Sequence, residues 1–317
     1  MKLKNAWILG AVAALLGSAA PATFAAGMII PAYVPLTDTT TWQILAEDAA
    51  IMQSGSSTVY KDYWVTVNSA NNGPFSNSAD WATAATRFNP IRANGGKIIG
   101  YVHALGAPTG TTYRPLADVK ADITAWVSGY SNLDGIWIDE FYPRYEIAGP
   151  SGSSATYPNG ESLAPTDRSF ANPDGLFNGN PVHPAGGYFS QLTSWIRSTY
   201  PQLKIVGNAG GWFYSNQREY ASLVDVTCSF EKTYAAAANS PTNDWSGLNQ
   251  DINTQSYAQL ALIHTNSSDL NGAIDQSISH GYEYFYTTDS IFSDTSNVWG
   301  SIPGYFTSEV TYIANHS

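Results

Sequence analysis

Short apolar runs alternate with amphipathic stretches along most of the chain. Such runs occupy residues 28–35, 63–68, 97–104, 134–141, 204–209, 224–232, 259–265 and 282–288, and most meet Gly, Pro, Asn or Asp at one end at least. Mostly apolar runs of this length, closed by turn residues, predict strands of a parallel sheet covered on both faces. Residues 42–53, 80–93, 115–130, 186–200, 215–223, 268–279 and 305–314 predict helices instead. In the third of these, Leu116, Val119, Ile123 and Val127 form one apolar stripe. Threonines ahead of Trp42 are available to cap the first helix, and Asn94-Gly95-Gly96 closes the second.

Eight strand-like runs, each followed by a helix-like run or a loop, demand a parallel sheet with right-handed crossovers. The count and the length fit a closed (β/α)8 TIM barrel better than an open doubly wound sheet. No Gly-rich phosphate motif follows the first strand, which argues against a dinucleotide-binding fold. There is no linker and no repeat, so residues 26–317 are expected to form one catalytic barrel domain. Residues 1–25 read as a secretory signal: Lys2 and Lys4, an apolar run at 6–17, then small residues with cleavage after Ala25. That run is too short to span a bilayer, and no later stretch qualifies, so an exported protein without a membrane span is expected.

The fourth run, Asp134-Gly135-Ile136-Trp137-Ile138-Asp139-Glu140-Phe141, ends in two adjacent acids. Carboxylates at a buried strand end are costly to leave without partners or a task. Asp134 reads as the cap of the turn into the strand. Side chains alternate along a strand, so Asp139 and Glu140 cannot point equally into a barrel mouth. If Ile136 and Ile138 fill the barrel, Glu140 points inward with them.

Strand carboxyl ends face the mouth of such a barrel. Those ends carry Tyr33, Asn68, Tyr101 and His103, Asp139 and Glu140, Asn208, Glu231 and Tyr234, His264 and Thr265, and Thr288 and Asp289. Asp139, Glu140 and Glu231 are the candidate catalytic groups. Tyr33, Asn68, Tyr101, His103, Asn208, Tyr234 and Asp289 are the candidate substrate-binding ones. Carboxylates in neighbouring sectors, ringed by amides, hydroxyls and aromatics, suit glycoside cleavage, which needs one acid and one carboxylate. Asn68 and Asn208 are equally suited to satisfying backbone groups at strand ends, and His103 to a packed barrel position.

Composition narrows the choice. A net charge of −11 with 12% charged residues argues against nucleic acid or anionic lipid as a partner. Twenty Tyr and ten Trp beside many small hydroxyl and amide residues suit a sugar-binding surface. The single Cys228 lies in an apolar run and reads as a packing thiol. No His, Asp or Glu spacing suggests a metal, and Ser153 follows no strand, so neither a zinc deacetylase nor a serine nucleophile is expected. No cofactor is called for, and a monomer is expected.

Several stretches resemble the spherulin-4-like proteins, which include a glycoside hydrolase family acting on galactosaminogalactan. They are residues 30–35 with Trp42, the Asn-rich loop at 67–74, residues 99–102 and 113–123, the DG-I-x-x-DE stretch at 134–140, residues 205–208, and Ser229-Phe230-Glu231. The resemblance implies a (β/α)8 barrel and endo-acting hydrolysis of a galactosamine-containing polysaccharide. It carries the functional carboxylates onto Asp139, Glu140 and Glu231, and favours Asp139 as the reacting group. The stretches at 142–181 and 103–113 are longer than the family pattern requires. The competing readings are a non-catalytic carbohydrate-binding or cell-surface protein, and a glycosidase for another amino-sugar biofilm polymer.

Overall fold

In the computed structural model the described residues are 26–69, 72–105, 114–141, 188–208, 221, 223–234, 258–265, 268–290 and 297–316, with the backbone of a two-stranded ribbon at Leu176–Phe177 and Asn180–Pro181. The proposed signal segment, most of the loop at 142–181 and nearly all of the helix expected at 215–223 lie outside them.

Eight strands close the barrel: β1 (Ala26–Ala32), β2 (Tyr60–Val67), β3 (Lys97–His103), β4 (Gly135–Asp139), β5 (Lys204–Asn208), β6 (Val226–Thr233), β7 (Ala258–His264) and β8 (Tyr284–Thr288). They pair in parallel in chain order, and β8 returns to β1. Six helices are described outside the ring: α1 (Thr39–Ser54), α2 (Ser78–Ala93), α3 (Leu116–Gly129), α4 (Tyr188–Thr199), α5 (Leu270–Ser279) and α6 (Phe306–Ala314). The expected (β/α)8 barrel is what forms.

Small differences from the expected boundaries have local causes. β1 stops at Ala32, before the prolines run out, because the Tyr33 amide donates to the Trp299 carbonyl instead of a strand partner. The cap of α1 is Asp38, not a threonine; its carboxylate accepts from Thr41 N at 3.1 Å and Thr41 Oγ1 at 2.7 Å.

On the amino-terminal face, three acids just ahead of strands accept a neighbouring strand's backbone N–H. Asp134 takes Ile98 N, Asp225 takes Ile205 N, and Glu283 takes Gln259 N, at 2.7–2.9 Å. Asp134 also receives a bidentate Arg92 at 3.0 Å, tying the end of α2 to the start of β4. Its expected capping role is thereby given a partner.

The mouth is positioned by how β3 sits under α3. The Trp126 indole N–H donates to the Tyr101 carbonyl at 2.8 Å, and its ring lies over Gly100. A Cβ on Gly100 would come within 2.5 Å of that ring. Gly100 therefore faces the helices, and its neighbours Tyr101 and Ile99 face the barrel interior. Gly100 pairs with Ile136 and Tyr101 with Trp137. Ile136 and Ile138 thus face the helical layer, and the expectation that they fill the barrel and turn Glu140 inward is corrected. Trp137 and Asp139 face the interior.

Two measurements test this packing. Gly100→Ala should destabilise by about 1–3 kcal/mol, the usual cost of overpacking, read as a lower midpoint in denaturant. Glu309 on α6 is fully buried; one oxygen accepts from Thr287 N at 2.7 Å and burial pushes its carboxyl up to about 8. A raised carboxyl favours the fold below its unfolded value and withdraws that support as pH rises through about 8. Glu309→Gln should therefore melt near the parent below the ordinary carboxyl value of 4.5 and increasingly above it as pH rises from there to about 8; parallel melting curves across the range would contradict this.

Candidate active site

The barrel register delivers one side chain from each of several strands to the mouth. On β4 it is Asp139, and on β3 it is Tyr101, whose hydroxyl donates to Asp139 Oδ2 at 2.7 Å. On β5 it is Asn208, whose Nδ2 donates to Asp139 Oδ1 at 2.8 Å and reaches Glu231 Oε2 on β6 at 3.4 Å. The two carboxylate oxygens that share this amide are thus within roughly 6 Å of each other, the limit set by adding the two contacts.

Glu231 arrives there through an irregularity. Cys228 lies opposite Leu260 and Glu231 opposite Leu262, yet Phe230 lies opposite Ala261. Ser229 is therefore an extra residue, a β-bulge that puts Cys228 and Glu231 on the same face although they are three apart. Ser229 is buried, and its hydroxyl lies 3.2 Å from Gln259 Oε1 and 3.4 Å from the Tyr282 hydroxyl.

The chain turns sharply after Asp139. Glu140 has φ 58°, a left-handed conformation that costs a non-glycine residue energy. Its Oε2 accepts from Leu105 N at 2.9 Å, fastening β4 to the stretch after β3. Phe141 then returns under Gly207, where a Cβ would meet the ring at 2.6 Å. Of the two adjacent acids, Asp139 joins Glu231 and Asn208, while Glu140 is anchored to backbone.

The environments split the two facing acids. Part of Asp139 borders the mouth, but its carboxylate is enclosed by protein; burial raises its pKa, and the donors Tyr101 and Asn208 pull it back. Burial and the nearby Asp139 push Glu231 up to about 7, with Asn208 opposing. Among the described residues one weak donor, Asn208 at 3.4 Å, serves Glu231, whereas Tyr101 and Asn208 serve Asp139 at 2.7 and 2.8 Å. The pair can hold one negative charge, placed on Asp139, and one proton, placed on Glu231.

Aromatic and amide groups frame the pair. The Tyr33 ring meets the Tyr101 ring edge-on at 5.3 Å, and its hydroxyl pKa is raised first by burial, then by Asp139 and Glu231. His103 lies roughly parallel to the Tyr101 ring at 6.5 Å, and its Nδ1 bonds the Asn72 carbonyl at 2.8 Å. Burial and Arg114 lower its pKa, so it is a neutral support for the Tyr101 side of the site. Asn68 Nδ2 donates to Asn72 Oδ1 at 3.2 Å.

Tyr33, Asn68, Tyr101, His103, Asn208, Asp139 and Glu231 therefore converge. Tyr234 and Asp289 do not join them. The Tyr234 hydroxyl packs against α5, 3.1 Å from where a side chain on Gly272 would begin, so it faces a helix rather than the mouth. Asp289 is exposed beyond β8, where its charge acts on Tyr286 and Tyr305. His264 is buried against Trp299 and bonds the Ser290 carbonyl at 2.7 Å. Sequence reasoning missed Asn72, whose φ of 55° braces both Asn68 and His103; an Asn just before Gly-Pro was the available signal. Among the described residues no group of three or more His, Cys, Asp or Glu can hold a metal ion. None of the described helices is long and apolar enough to cross a membrane.

A family model described as spherulation-specific family 4 matches residues 27–157 and 174–313. The chain belongs to this family. Spherulin-4 from Physarum polycephalum is 36% identical over 78 residues, 24% of this chain and 21% of that protein, so the match spans about a fifth of that relative. Among solved structures, Aspergillus clavatus Sph3 in complex with GalNAc is similar at TM-score 0.55 and 18% identity, covering 92% of this chain and 98% of that one. A β-galactosidase from the psychrophilic Marinomonas ef1 is similar at TM-score 0.51 and 10% identity, covering 91% of this chain and 58% of that one. At these identities the likeness establishes the barrel, a scaffold shared with glycoside hydrolases.

The split between the two acids is testable without substrate. Tyr101→Phe removes a donor that favours ionised Asp139, so the Asp139 carboxyl should titrate at higher pH, followed by carboxyl-carbon NMR. An unmoved titration would mean that the phenol does not hold the anion.

Proposed function

We propose that this family member is an exported, endo-acting glycoside hydrolase that cleaves an amino-sugar polysaccharide containing galactosamine or N-acetylgalactosamine. The observation that carries the proposal is the single Asn208 amide set between an enclosed Asp139 and a Glu231 pushed up to about 7. Glycoside cleavage needs a proton for the leaving oxygen and a carboxylate for the anomeric carbon, and this pair supplies one of each. Glu231 is the acid, later the base, and Asp139 is the carboxylate. Retaining enzymes keep the two carboxyl groups about 5–5.5 Å apart, and inverting ones about 6.5–9.5 Å. The shared amide favours the shorter arrangement, in which Asp139 attacks carbon directly.

Substrate class rests on family membership, on the GalNAc held by the similar Sph3, and on an acidic chain with net charge −11. A negative protein attracts a cationic, partly de-N-acetylated polymer at a rate-level, salt-screened strength. Export rests on the amino-terminal residues, a basic start followed by an apolar run and small residues.

The test is release of new reducing ends from galactosamine-rich polysaccharide. Asp139→Asn and Glu231→Gln should each lower the rate by roughly 10²-fold or more while melting like the parent. Parent activity should fall as pH rises through about 7, where Glu231 loses its proton. Polysaccharide binding without new reducing ends would replace this reading with a non-catalytic carbohydrate-binding protein.

A further inference from the structure

The turn that follows Asp139 is fastened on both sides. β4 ends at Asp139, whose carbonyl accepts from Ala104 N at 3.2 Å. The next amide of the chain leaving β3, Leu105 N, donates to Glu140 Oε2 at 2.9 Å. Two successive amides are thus held by the end of β4, one by its main chain and one by a side chain. On the opposite side, Phe141 N donates to the Asn208 carbonyl at 2.7 Å. Asn208 is the residue whose side-chain amide divides the two acids. Glu140 is therefore the single residue between Asp139 and the point where the chain reattaches to β5.

Glu140 makes this crossing at φ 58°, in the left-handed region that a residue with a Cβ occupies at a cost. Such a conformation persists where its surroundings over-determine it. Here they are the buried Phe141 ring, packed on Phe189 at 4.5 Å, and the carboxylate held on Leu105 N. The turn also presents the Glu140 main-chain N–H to Asp139. Burial raises the Asp139 carboxyl; Tyr101 and Asn208 oppose that, and the Glu140 N–H opposes it after them. Asp139 and Glu231 already provide one carboxylate and one proton, so the chemistry asks for no third acid.

We propose that Glu140 is a positioning residue, whose carboxylate clamps Leu105 N and so holds the turn that sets Asp139 against Asn208. The proposal rests on the glycosidase reading for its effect on rate, and it gives the second of the two adjacent acids a task distinct from the first. A group of this kind acts by reach rather than by its charge or a proton. An acceptor oxygen at the same distance serves, and a shorter side chain does not, whatever its charge.

The test compares Glu140→Gln, Glu140→Ala and Glu140→Asp in the full-length protein, with melting curves to check the fold. The first keeps an oxygen for Leu105 N, the second removes it, and the third keeps the charge on a stem one methylene shorter. Reducing-end release should fall by less than about tenfold in Glu140→Gln, whose bond is neutral rather than charge-assisted. In the other two kcat should fall by roughly 10²-fold with KM near the parent value, the cost of a misplaced reacting group. Carboxyl-carbon NMR of Asp139, which needs no substrate, should show a higher titration in Glu140→Ala than in Glu140→Gln. Both lack the Glu140 charge, so the difference reports the fastening alone. The parent and Glu140→Asp form a second pair, both charged, in which the shorter stem should raise the titration; this pair decides if Glu140→Ala does not fold. A loss in Glu140→Gln as large as in Asp139→Asn, a raised KM with kcat kept, or equal Asp139 titrations within the pairs would overturn the positioning role. No release by the parent, together with a titration difference, overturns the hydrolase reading and leaves the positioning role standing.

Discussion

Two carboxyl groups enclosed by protein at one barrel mouth cannot both be charged at modest cost, and the site is organised around that constraint. Asn208 is the element that divides them. Its amide donates well to Asp139 and poorly to Glu231, and Tyr101 adds a second donor on the Asp139 side alone. The supports behind these donors follow from the same need. Trp126 holds the Tyr101 backbone from outside the barrel, His103 lies alongside its ring, and Tyr33 closes its edge. The asymmetry that separates acid from carboxylate is thus built from neutral groups, which suits a chain with few charges.

The barrel was readable because strands covered on both faces must be apolar almost throughout, and those runs are conspicuous. The same property hides which way each side chain points. Ile136, Trp137 and Ile138 are all buried, so no polar alternation marks the inward face; only Gly100 beneath Trp126 does, and that contact lies between segments far apart in sequence. Glu231 raises a harder version of the problem, since an extra residue in β6 changes the count of faces without changing the apolar pattern. Tyr234, three residues further on, read as part of the mouth and packs against α5 instead. Asp139, Asn208 and Tyr101 were legible because they end strands whose register is unbroken.

Carboxylates occupy both ends of the barrel with opposite fates. Asp134, Asp225 and Glu283 on the amino-terminal face each accept a backbone N–H at the start of a neighbouring strand, and Asp134 adds a guanidinium. They behave as fasteners of register. At the mouth, the acids share donors sparingly, and Glu140 shows the intermediate case, with a strained backbone and its oxygen spent on Leu105 N. Such division matches the general rule that one face of these barrels serves stability and the other serves chemistry.

The bulge at Ser229 is a residue of slack in β6. Without it the ladder would run regularly, with Phe230 still opposite Ala261 and Glu231 still opposite Leu262, so it does not decide which face Glu231 takes. What it adds is a local bend and extra twist just ahead of the carboxylate, together with a hydroxyl 3.2 Å from Gln259 Oε1 and 3.4 Å from the Tyr282 hydroxyl. The extra residue thus sets the aim of Glu231, not its side of the sheet.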